Sequence, residues 1–345
     1  MSYLRSFSRP VIFCLTPLGV LCVFSFTALP AAAAPSPAYV ANFSDRSVSV
    51  IDTKTNKIVG SPIPVGDSPL YLAVTPNGKF VYVANVFSPS VSVNDTKTNT
   101  VVATVPLANS LVNGVAIAPN GKFAYVATVS PDGVSVIDTK TNTVAATVVL
   151  PTGSGPFGLA ITPDGESVYV ANNSNGTASV IDTKTNTLVK TITVGSQPED
   201  VAITPDGGFV YMSNDGDGTV SVIDTSTNTV AKTITVGTFP DGVAITRGGD
   251  FAYVCNTGSA SFSVIDTDTY AVTTISLPAG STPDSLAFTA NGKVAYMTNQ
   301  NDPGSIWVID ATTNLITNTI TVGVRSLPSG VAISRRRTED RKEED

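Results

Sequence analysis

Seven copies of one short segment dominate this chain and constrain its fold more than any other feature. Each copy reads Tyr-Val-Ala-Asn or a close variant, and successive copies are 42 to 44 residues apart. The tyrosines of the seven copies are Tyr39, Tyr82, Tyr125, Tyr169, Tyr211, Tyr253 and Tyr296. Repetition at this period is typical of proteins that are built from many copies of one supersecondary unit.

Each repeat unit contains four short segments that favour β-strands. Residues 198–236, for example, hold four runs rich in Val, Ile and Thr, separated by the turn residues Gly, Pro, Asn and Asp. A four-stranded unit of this length that repeats around an axis is typical of a β-propeller. We therefore predict an all-β fold, a seven-bladed β-propeller with four antiparallel strands in each blade.

The two ends of the repeat region are complementary. The first Tyr-Val-Ala-Asn strand, at Tyr39, lacks the Gly-Val-Ala-Ile strand that precedes it in every other unit. The last Gly-Val-Ala-Ile strand, at residues 330–333, has no Tyr-Val-Ala-Asn strand after it. Residues 328–334 are therefore predicted to complete the blade formed by residues 39–66. Such a closure removes the free edges that an open array would expose.

At this level of detail the sequence resembles the YVTN-family β-propeller repeat proteins of bacteria and archaea, a WD40-like architecture found in secreted and surface-layer proteins. The resemblance rests on segments such as 82–85 and 169–172 and on the Ile-Asp-Thr and Pro-Asp-Gly elements that follow in each repeat. It covers residues 36–334 and departs from the pattern at Thr128, at Asn94 and at 247–249. The resemblance implies a propeller outside the cytoplasm but no single reaction, because propellers host many functions.

The composition changes at both ends of the chain. Residues 1–34 contain Arg5 and Arg9, a long apolar run and four alanines at 31–34, which predicts a signal peptide cleaved near Ala34. An uncleaved N-terminal anchor is the alternative, because the apolar run approaches the length of a membrane span. No later segment is apolar enough to cross a membrane. Residues 335–345 carry five basic and five acidic residues and are predicted to be a disordered tail, which leaves 35–334 for the propeller. We expect an exported protein that is periplasmic, extracellular or on the cell surface.

Composition excludes several kinds of chemistry. The chain has no histidine, so it has no Ser-His-Asp or Cys-His relay and no His-ligated metal or haem. Its formal net charge of -7 opposes nucleic-acid binding. Cys255 is the only cysteine after the predicted signal, which rules out an internal disulfide there. The aspartate of each Ile-Asp-Thr element occurs in every repeat, so we interpret these seven residues as turn caps rather than as a site.

Positions where the repeat is broken are the better candidates for function. The two residues before each inner-strand valine or leucine are expected at the mouth of the central channel, and there Glu199, Asp200, Asp241 and Asp284 come from three successive units. The corresponding positions elsewhere include the apolar or uncharged Leu70, Tyr71, Asn113 and Phe157, which are expected on the other side of the ring.

This pattern predicts a mouth with an acidic arc and an apolar, aromatic arc. Carboxylates on adjacent strands suit a hard cation, and Ca²⁺ is the one cofactor that the pattern suggests. A cationic ligand would suit them equally. The alternative is a plain solvated acidic rim. Eight lysines are expected in turns on the opposite face: Lys54, Lys57, Lys79, Lys97, Lys122, Lys140, Lys184 and Lys293.

The sequence leaves three interpretations of function. The first is a secreted or surface propeller without enzymatic activity, a scaffold for a protein or cell-wall partner. The second is a Ca²⁺-dependent, lactonase-like hydrolase with its metal at the channel mouth. The third and weakest is a periplasmic nucleic-acid-binding propeller, which the net charge opposes and the lysines favour.

Overall fold

Seven antiparallel sheets, blades I to VII, make up the computed structural model, which describes residues 36–108 and 111–334. Within each blade the strands are called A to D from the inside outwards. Blade I combines the two ends of the described chain, and blades II to VII follow in sequence order. The predicted signal segment 1–34 and the tail 335–345 lie outside the described residues. No helix among the described residues is long and apolar enough to span a membrane.

The strands, in chain order, are β1 (Ala38–Asn42), β2 (Ser47–Asp52), β3 (Lys57–Ile58), β4 (Ile63–Pro64), β5 (Pro69–Val74), β6 (Phe80–Asn85), β7 (Ser90–Asp95), β8 (Thr100–Pro106), β9 (Leu111–Ile117), β10 (Phe123–Val129), β11 (Gly133–Asp138), β12 (Thr143–Val149), β13 (Pro156–Ile161), β14 (Ser167–Asn172), β15 (Thr177–Asp182), β16 (Thr187–Thr193), β17 (Pro198–Ile203), β18 (Phe209–Asn214), β19 (Thr219–Asp224), β20 (Thr229–Thr235), β21 (Pro240–Ile245), β22 (Phe251–Asn256), β23 (Ser261–Asp266), β24 (Val272–Ser276), β25 (Pro283–Phe288), β26 (Val294–Asn299), β27 (Gly304–Asp310), β28 (Leu315–Gly323) and β29 (Pro328–Ile333). Two short 3-10 turns occupy Asp215–Asp217 and Thr257–Ser259.

The ring closes as the sequence predicts. Strand β29 pairs antiparallel with β1, with Val331 opposite Val40, and thereby supplies the inner strand of blade I. The inner strand of each blade contacts the inner strands of both neighbouring blades, and β29 lies between β25 and β5. The Ser329 hydroxyl lies 3.1 Å from the carbonyl oxygen of Pro69 in blade II. Three strands from the N-terminal part and one from the C-terminal part therefore lock the ring. The outer strand of blade I is split into β3 and β4.

The middle strands are buried on both faces because each blade is covered by its two neighbours. All seven motif tyrosines are nearly inaccessible to water and belong to the largest fully buried side chains. The hydroxyls of five of them donate hydrogen bonds to an asparagine of the next blade. Tyr82 donates to Asn142 of blade III at 2.6 Å, and Tyr296 of blade VII donates to Asn56 of blade I. These asparagines sit in the C–D turn at positive φ, where Asn is well tolerated.

The seven Ile-Asp-Thr aspartates cap the C–D turns, as predicted. The Oδ1 atom of Asp95, for example, accepts the backbone N–H groups of Lys97 and Thr98 at 2.8 and 2.9 Å. In blades II to VI the threonine after the aspartate reaches the A–B turn of its own blade; the Thr96 hydroxyl, for example, donates to the Gly78 carbonyl at 2.7 Å. The A–B and C–D turns therefore lie together on one face of the ring, called the lower face here. The B–C and D–A loops form the upper face.

One core position departs from the repeat at a cost in stability. Asn94 is fully buried at the position where the other blades have isoleucine, such as Ile137. Neither its amide nitrogen nor its amide oxygen has a hydrogen-bond partner among the described residues. A buried amide without partners destabilises a fold by roughly 1–3 kcal/mol.

We expect Asn94→Ile to raise the free energy of unfolding by about 1–3 kcal/mol, because it removes the unsatisfied amide and adds buried apolar surface. Urea unfolding of the variant and the wild type measures this difference. The mirror change, Ile137→Asn, should lower stability by a similar amount. An unchanged or lower stability of Asn94→Ile would show that the amide is hydrogen-bonded in solution, for instance by buried water.

Candidate functional site

A β-bulge shapes the upper end of all seven inner strands. In blade V, Pro198 pairs with Asn214 and Val201 pairs with Met212, so that Glu199 and Asp200 together stand opposite the single residue Ser213. The same register shift occurs in the other six blades. Bulges break the alternation of side chains along a strand and are common next to binding sites. Because the bulge adds one residue, each inner strand has two consecutive residues at the mouth instead of one, and both positions differ in sequence between the blades.

Glycines at the bulge let neighbouring inner strands come close together. The second bulge residue is glycine in four blades, at Gly114, Gly158, Gly242 and Gly330. A Cβ atom on Gly158 would lie 2.3 Å from the carbonyl oxygen of Glu199, and one on Gly242 would lie 2.4 Å from that of Asp284. Real Cβ atoms do not approach a carbonyl so closely, so only glycine fits there. The backbone that carries the acidic residues is therefore held tightly against the preceding blade.

The four predicted acidic residues lie at this upper end and share a network of hydrogen bonds. The Asn173 amide donates to Oε1 of Glu199 at 2.8 Å, and the backbone N–H of Val243 donates to Oδ2 of Asp200 at 3.1 Å. Asp241 and Asp284 hydrogen-bond to each other through their side chains, so they share a proton, and Gln300 hydrogen-bonds to Asp284. The network joins blades IV to VII across the mouth.

The aromatic residues line the same cavity as two of the acids, Asp241 and Asp284. The rings of Tyr71 and Phe157 pack edge to face with centroids 5.9 Å apart, although they come from blades II and IV. A cavity of about 40 Å³ is lined by Leu70, Tyr71, Phe157, Asp241, Asp284, Ser285 and Gly330. The channel is so narrow at this level that its two sides meet. The cavity has room for a group about as large as one or two water molecules.

Asn113 occupies a different environment from the other mouth residues. Its side chain is buried, and its amide donates to the carbonyl oxygen of Pro156 in the next blade at 2.9 Å. It therefore supports the loop before Phe157 and does not line the cavity. Leu70 and Phe157 line it directly.

Burial and mutual repulsion raise the pKa values of the acidic residues. All four acidic residues are partly buried among the inner strands of the ring. Loss of hydration, followed by the charges of Asp215, Asp284 and Asp200, raises the pKa of Glu199 to about 8. Loss of hydration raises the pKa values of Asp200 and Asp284 to about 6.

The pKa values of Asp241 and of the Tyr71 phenol are raised as well. Burial and the charge of Asp284 raise the pKa of Asp241 well above its ordinary value, so that the shared proton stays on the pair. Burial and the four carboxylates together raise the pKa of the Tyr71 phenol, which therefore stays neutral. Among residues 36–108 and 111–334 the only ion pair joins Arg46 and Asp67. No lysine or arginine described by the structure neutralises the acidic mouth.

The carboxyl groups do not form a ready-made metal site. No three Asp, Glu or Cys side chains of the described residues converge closely enough to hold a metal ion. Glu199 and Asp200 use oxygens to accept hydrogen bonds from Asn173 and Val243. The calcium site predicted from the sequence therefore stays a prediction that the present arrangement does not favour.

Sequence reasoning missed the polar residues of the B–C loops that interact with the acids. Asn173, Asp215 and Gln300 each follow the last residue of a Tyr-Val-Ala-Asn strand directly. The same position is apolar in blades I to III, at Phe43, Val86 and Val129, and polar in blades IV to VII. A comparison of this position between the seven repeats would have revealed a second departure from the repeat, on the same side of the ring as the acids.

The family of the protein follows from sequence comparison. The family described as "Lactonase, 7-bladed beta-propeller" matches residues 36–272, which is more than half of the chain. The chain therefore belongs to this family of seven-bladed propellers. No curated protein matches the sequence significantly.

Solved structures share the fold at low sequence identity. Hydrazine synthase from Kuenenia stuttgartiensis is 22% identical with a TM-score of 0.68, and the alignment covers 88% of this chain and 100% of that one. A functionally unknown protein from Desulfotomaculum acetoxidans is 18% identical with a TM-score of 0.74, over 87% and 99% of the two chains. Dihydro-heme d1 dehydrogenase NirN is 17% identical with a TM-score of 0.62, over 89% of this chain and 78% of that one. At these identities the likeness extends to the fold alone.

The raised pKa of Glu199 predicts how stability depends on pH. The folded state holds this proton up to about pH 8, whereas the unfolded chain releases it near pH 4, so stability falls as the pH rises between these values. Urea unfolding at pH 5 and pH 8 should show a loss in the wild type. We expect Glu199→Gln to reduce that loss by about 2 kcal/mol, a figure lowered to allow for water in the channel. An identical pH dependence in both proteins would contradict the raised pKa.

Proposed function

We propose that the protein is an exported binding propeller without enzymatic activity, and that it takes a cationic group of its ligand at the acidic mouth. The observation that carries this proposal is the set of four carboxyl groups that three successive blades place at the upper mouth. Two of them, Asp241 and Asp284, line the small cavity, and no lysine or arginine among the described residues forms an ion pair with any of the four. Burial, with mutual repulsion among them, disfavours the ionised forms of these carboxyl groups, and a cation that enters would stabilise those forms.

The aromatic wall supports an organic cation over a bare metal ion. Tyr71 and Phe157 bound the cavity opposite Asp241 and Asp284. Aromatic faces attract ammonium groups, whereas a hard metal ion requires several oxygen ligands at short range. The small volume of about 40 Å³ suits a single ammonium group at the tip of a larger ligand.

Export and a surface role are part of the same proposal. They rest on the signal-like residues 1–34 and on the resemblance of the repeats to YVTN propellers of secreted and surface-layer proteins. A partner that presents amines, such as a protein or a cell-wall component, would then be accessible to the mouth.

Hydrolysis of a lactone is a second candidate, favoured by the name of the family. A carboxyl group with a pKa near neutrality can serve as a general acid or base, and Glu199 has that property. The residues present do not fit a catalytic metal. Lactone hydrolysis that is lost in Glu199→Gln, without loss of folding, would support this candidate against the scaffold.

A ligand-induced shift in melting temperature tests the binding site. We expect 1,5-diaminopentane to raise the melting temperature and the uncharged 1,5-pentanediol of the same length to leave it unchanged. At a hundredfold excess over the dissociation constant the gain in stability is about 2.7 kcal/mol. The double variant Asp241→Asn, Asp284→Asn should lose the effect, because it keeps the shape of the site and removes its charge.

Asp206→Asn is the matched control for that experiment. It removes one carboxylate from the lower face, at a turn position where Asn77 and Asn120 make the same cap in other blades. The control should respond to the diamine like the wild type. A shift with Ca²⁺ but not with the diamine would favour the metal site, and no shift with either would leave the mouth a solvated rim.

A further inference from the structure

The described turns of the lower face form a ring that carries many charged side chains. In blades III to VII each A–B turn packs on the A–B turn of the preceding blade; Gly121, for example, lies beside Pro76, and Gly165 lies beside Pro119. Hydrogen bonds such as the one from Thr96 to Gly78 tie the C–D turns to this ring. The long charged side chains at the turn tips, such as Lys79, are exposed.

The chemistry of these turns does not determine their charge. In the A–B turns, Asn77 accepts the backbone N–H of Lys79 at 3.0 Å, and Asp164 accepts that of Glu166 at 2.9 Å in the same way. Neutral Asn and anionic Asp are therefore interchangeable as caps. The residue two positions after the cap, Lys79 or Glu166, takes part in this hydrogen bond only through its backbone N–H. A charge pattern at these positions is thus free to serve another purpose.

The charges on the lower face are divided between its two halves. In blades I to III the described turns, with the strand ends next to them, hold six basic residues against three acidic ones: Lys54, Lys57, Lys79, Lys97, Lys122 and Lys140 against Asp52, Asp95 and Asp138. In blades IV to VI they hold two basic residues against eight acidic ones: Lys184 and Arg247 against Asp164, Glu166, Asp182, Asp206, Asp224, Asp250, Asp266 and Asp268. Only half of the face is rich in lysine, which corrects the expectation of a lysine face.

We propose that the lower face binds a second copy of this chain, with the basic half of each copy against the acidic half of the other. A two-fold axis that runs through blade VII and between blades III and IV brings about this pairing. It places blade III on blade IV, blade II on blade V and blade I on blade VI. Blade VII of one copy then lies on blade VII of the other. The two charged residues in its turns, Lys293 and Asp310, are of opposite sign and give no net charge. An interface of this kind is self-complementary, as two-fold symmetry requires.

The division of charge favours a second copy over an anionic polymer. A polymer of uniform negative charge would be attracted by blades I to III and repelled by the larger excess of acid in blades IV to VI. A second copy offers the opposite charge to both halves at once. Complementary potentials of this kind determine orientation and the choice of partner. Because the pairs are solvent-exposed, the association depends strongly on salt.

Sedimentation velocity of the full exported chain tests the proposal. At low salt and at concentrations up to about 0.5 mM, a weak interface of this kind should bring the weight-average mass towards roughly twice the monomer value. At high salt, about 0.5 M, the mass should return to that of the monomer. A wild type that stays monomeric at low salt at every concentration would overturn the proposal.

Charge reversal identifies the surface involved. Lys79→Glu with Lys122→Glu makes both halves acidic, and Glu166→Lys with Asp250→Lys and Asp268→Lys removes the excess acid of the other half. Each variant alone should be monomeric, and an equimolar mixture should regain a one-to-one dimer. The reversed side chains make no hydrogen bonds that the turns depend on, so far as the described residues show.

Lys190→Glu with Lys232→Glu is the matched control, because it changes the net charge as much as the lysine variant. Both residues lie on outer strands and not in the turns. This control should dimerise like the wild type. Loss of the dimer in the control, or failure of the mixture to reassociate, would contradict the pairing of the halves. A monomeric wild type that binds heparin through Lys79 and Lys122 would show instead that the face takes a polyanion.

Discussion

The close contact between neighbouring inner strands determines the width of the channel and the geometry of the ring. At the upper end of these strands, Gly114, Gly158, Gly242 and Gly330 bring backbone against backbone. The contact narrows the channel until residues of blades II and IV touch, as Tyr71 and Phe157 do. It can persist only in a closed ring, and the pairing of β29 with β1 provides the closure. The outer strands, with their alternating exposed residues, follow from the register that the inner ring imposes.

The narrow channel also raises the pKa values of the carboxyl groups at the mouth. Four carboxyl groups on a wide, hydrated surface would have ordinary pKa values, because water would screen them from one another. Here protein replaces most of that water, and the pKa of Glu199 rises to about 8. Asp241 and Asp284 respond by sharing a proton. The mouth is therefore a place where positive charge is stabilised, whichever ligand carries it.

Repeat periodicity made the fold predictable, because seven copies of one strand order leave few alternatives to a closed propeller. The turn caps, the ring closure at residues 328–334 and the positions of Glu199 and Asp284 at the mouth all follow from it. The meeting of Tyr71 with the acids does not, since it depends on the width of the channel and not on any one blade. The role of Asn113 and the hydrogen bonds from Asn173 and Gln300 likewise depend on contacts between blades. A sequence alignment of the repeats shows which positions vary but not which neighbours they contact.

Nuclear magnetic resonance titration of the side-chain carboxyl carbon of Glu199 measures its pKa in the folded protein, because it observes the ionisation without a ligand or an unfolding step. The signal can be assigned from its absence in Glu199→Gln. We predict a titration midpoint near pH 8, far above the ordinary value for glutamate. A midpoint near pH 4 would show that water hydrates the mouth freely, and it would contradict the account of the channel as a narrow, charge-concentrating site.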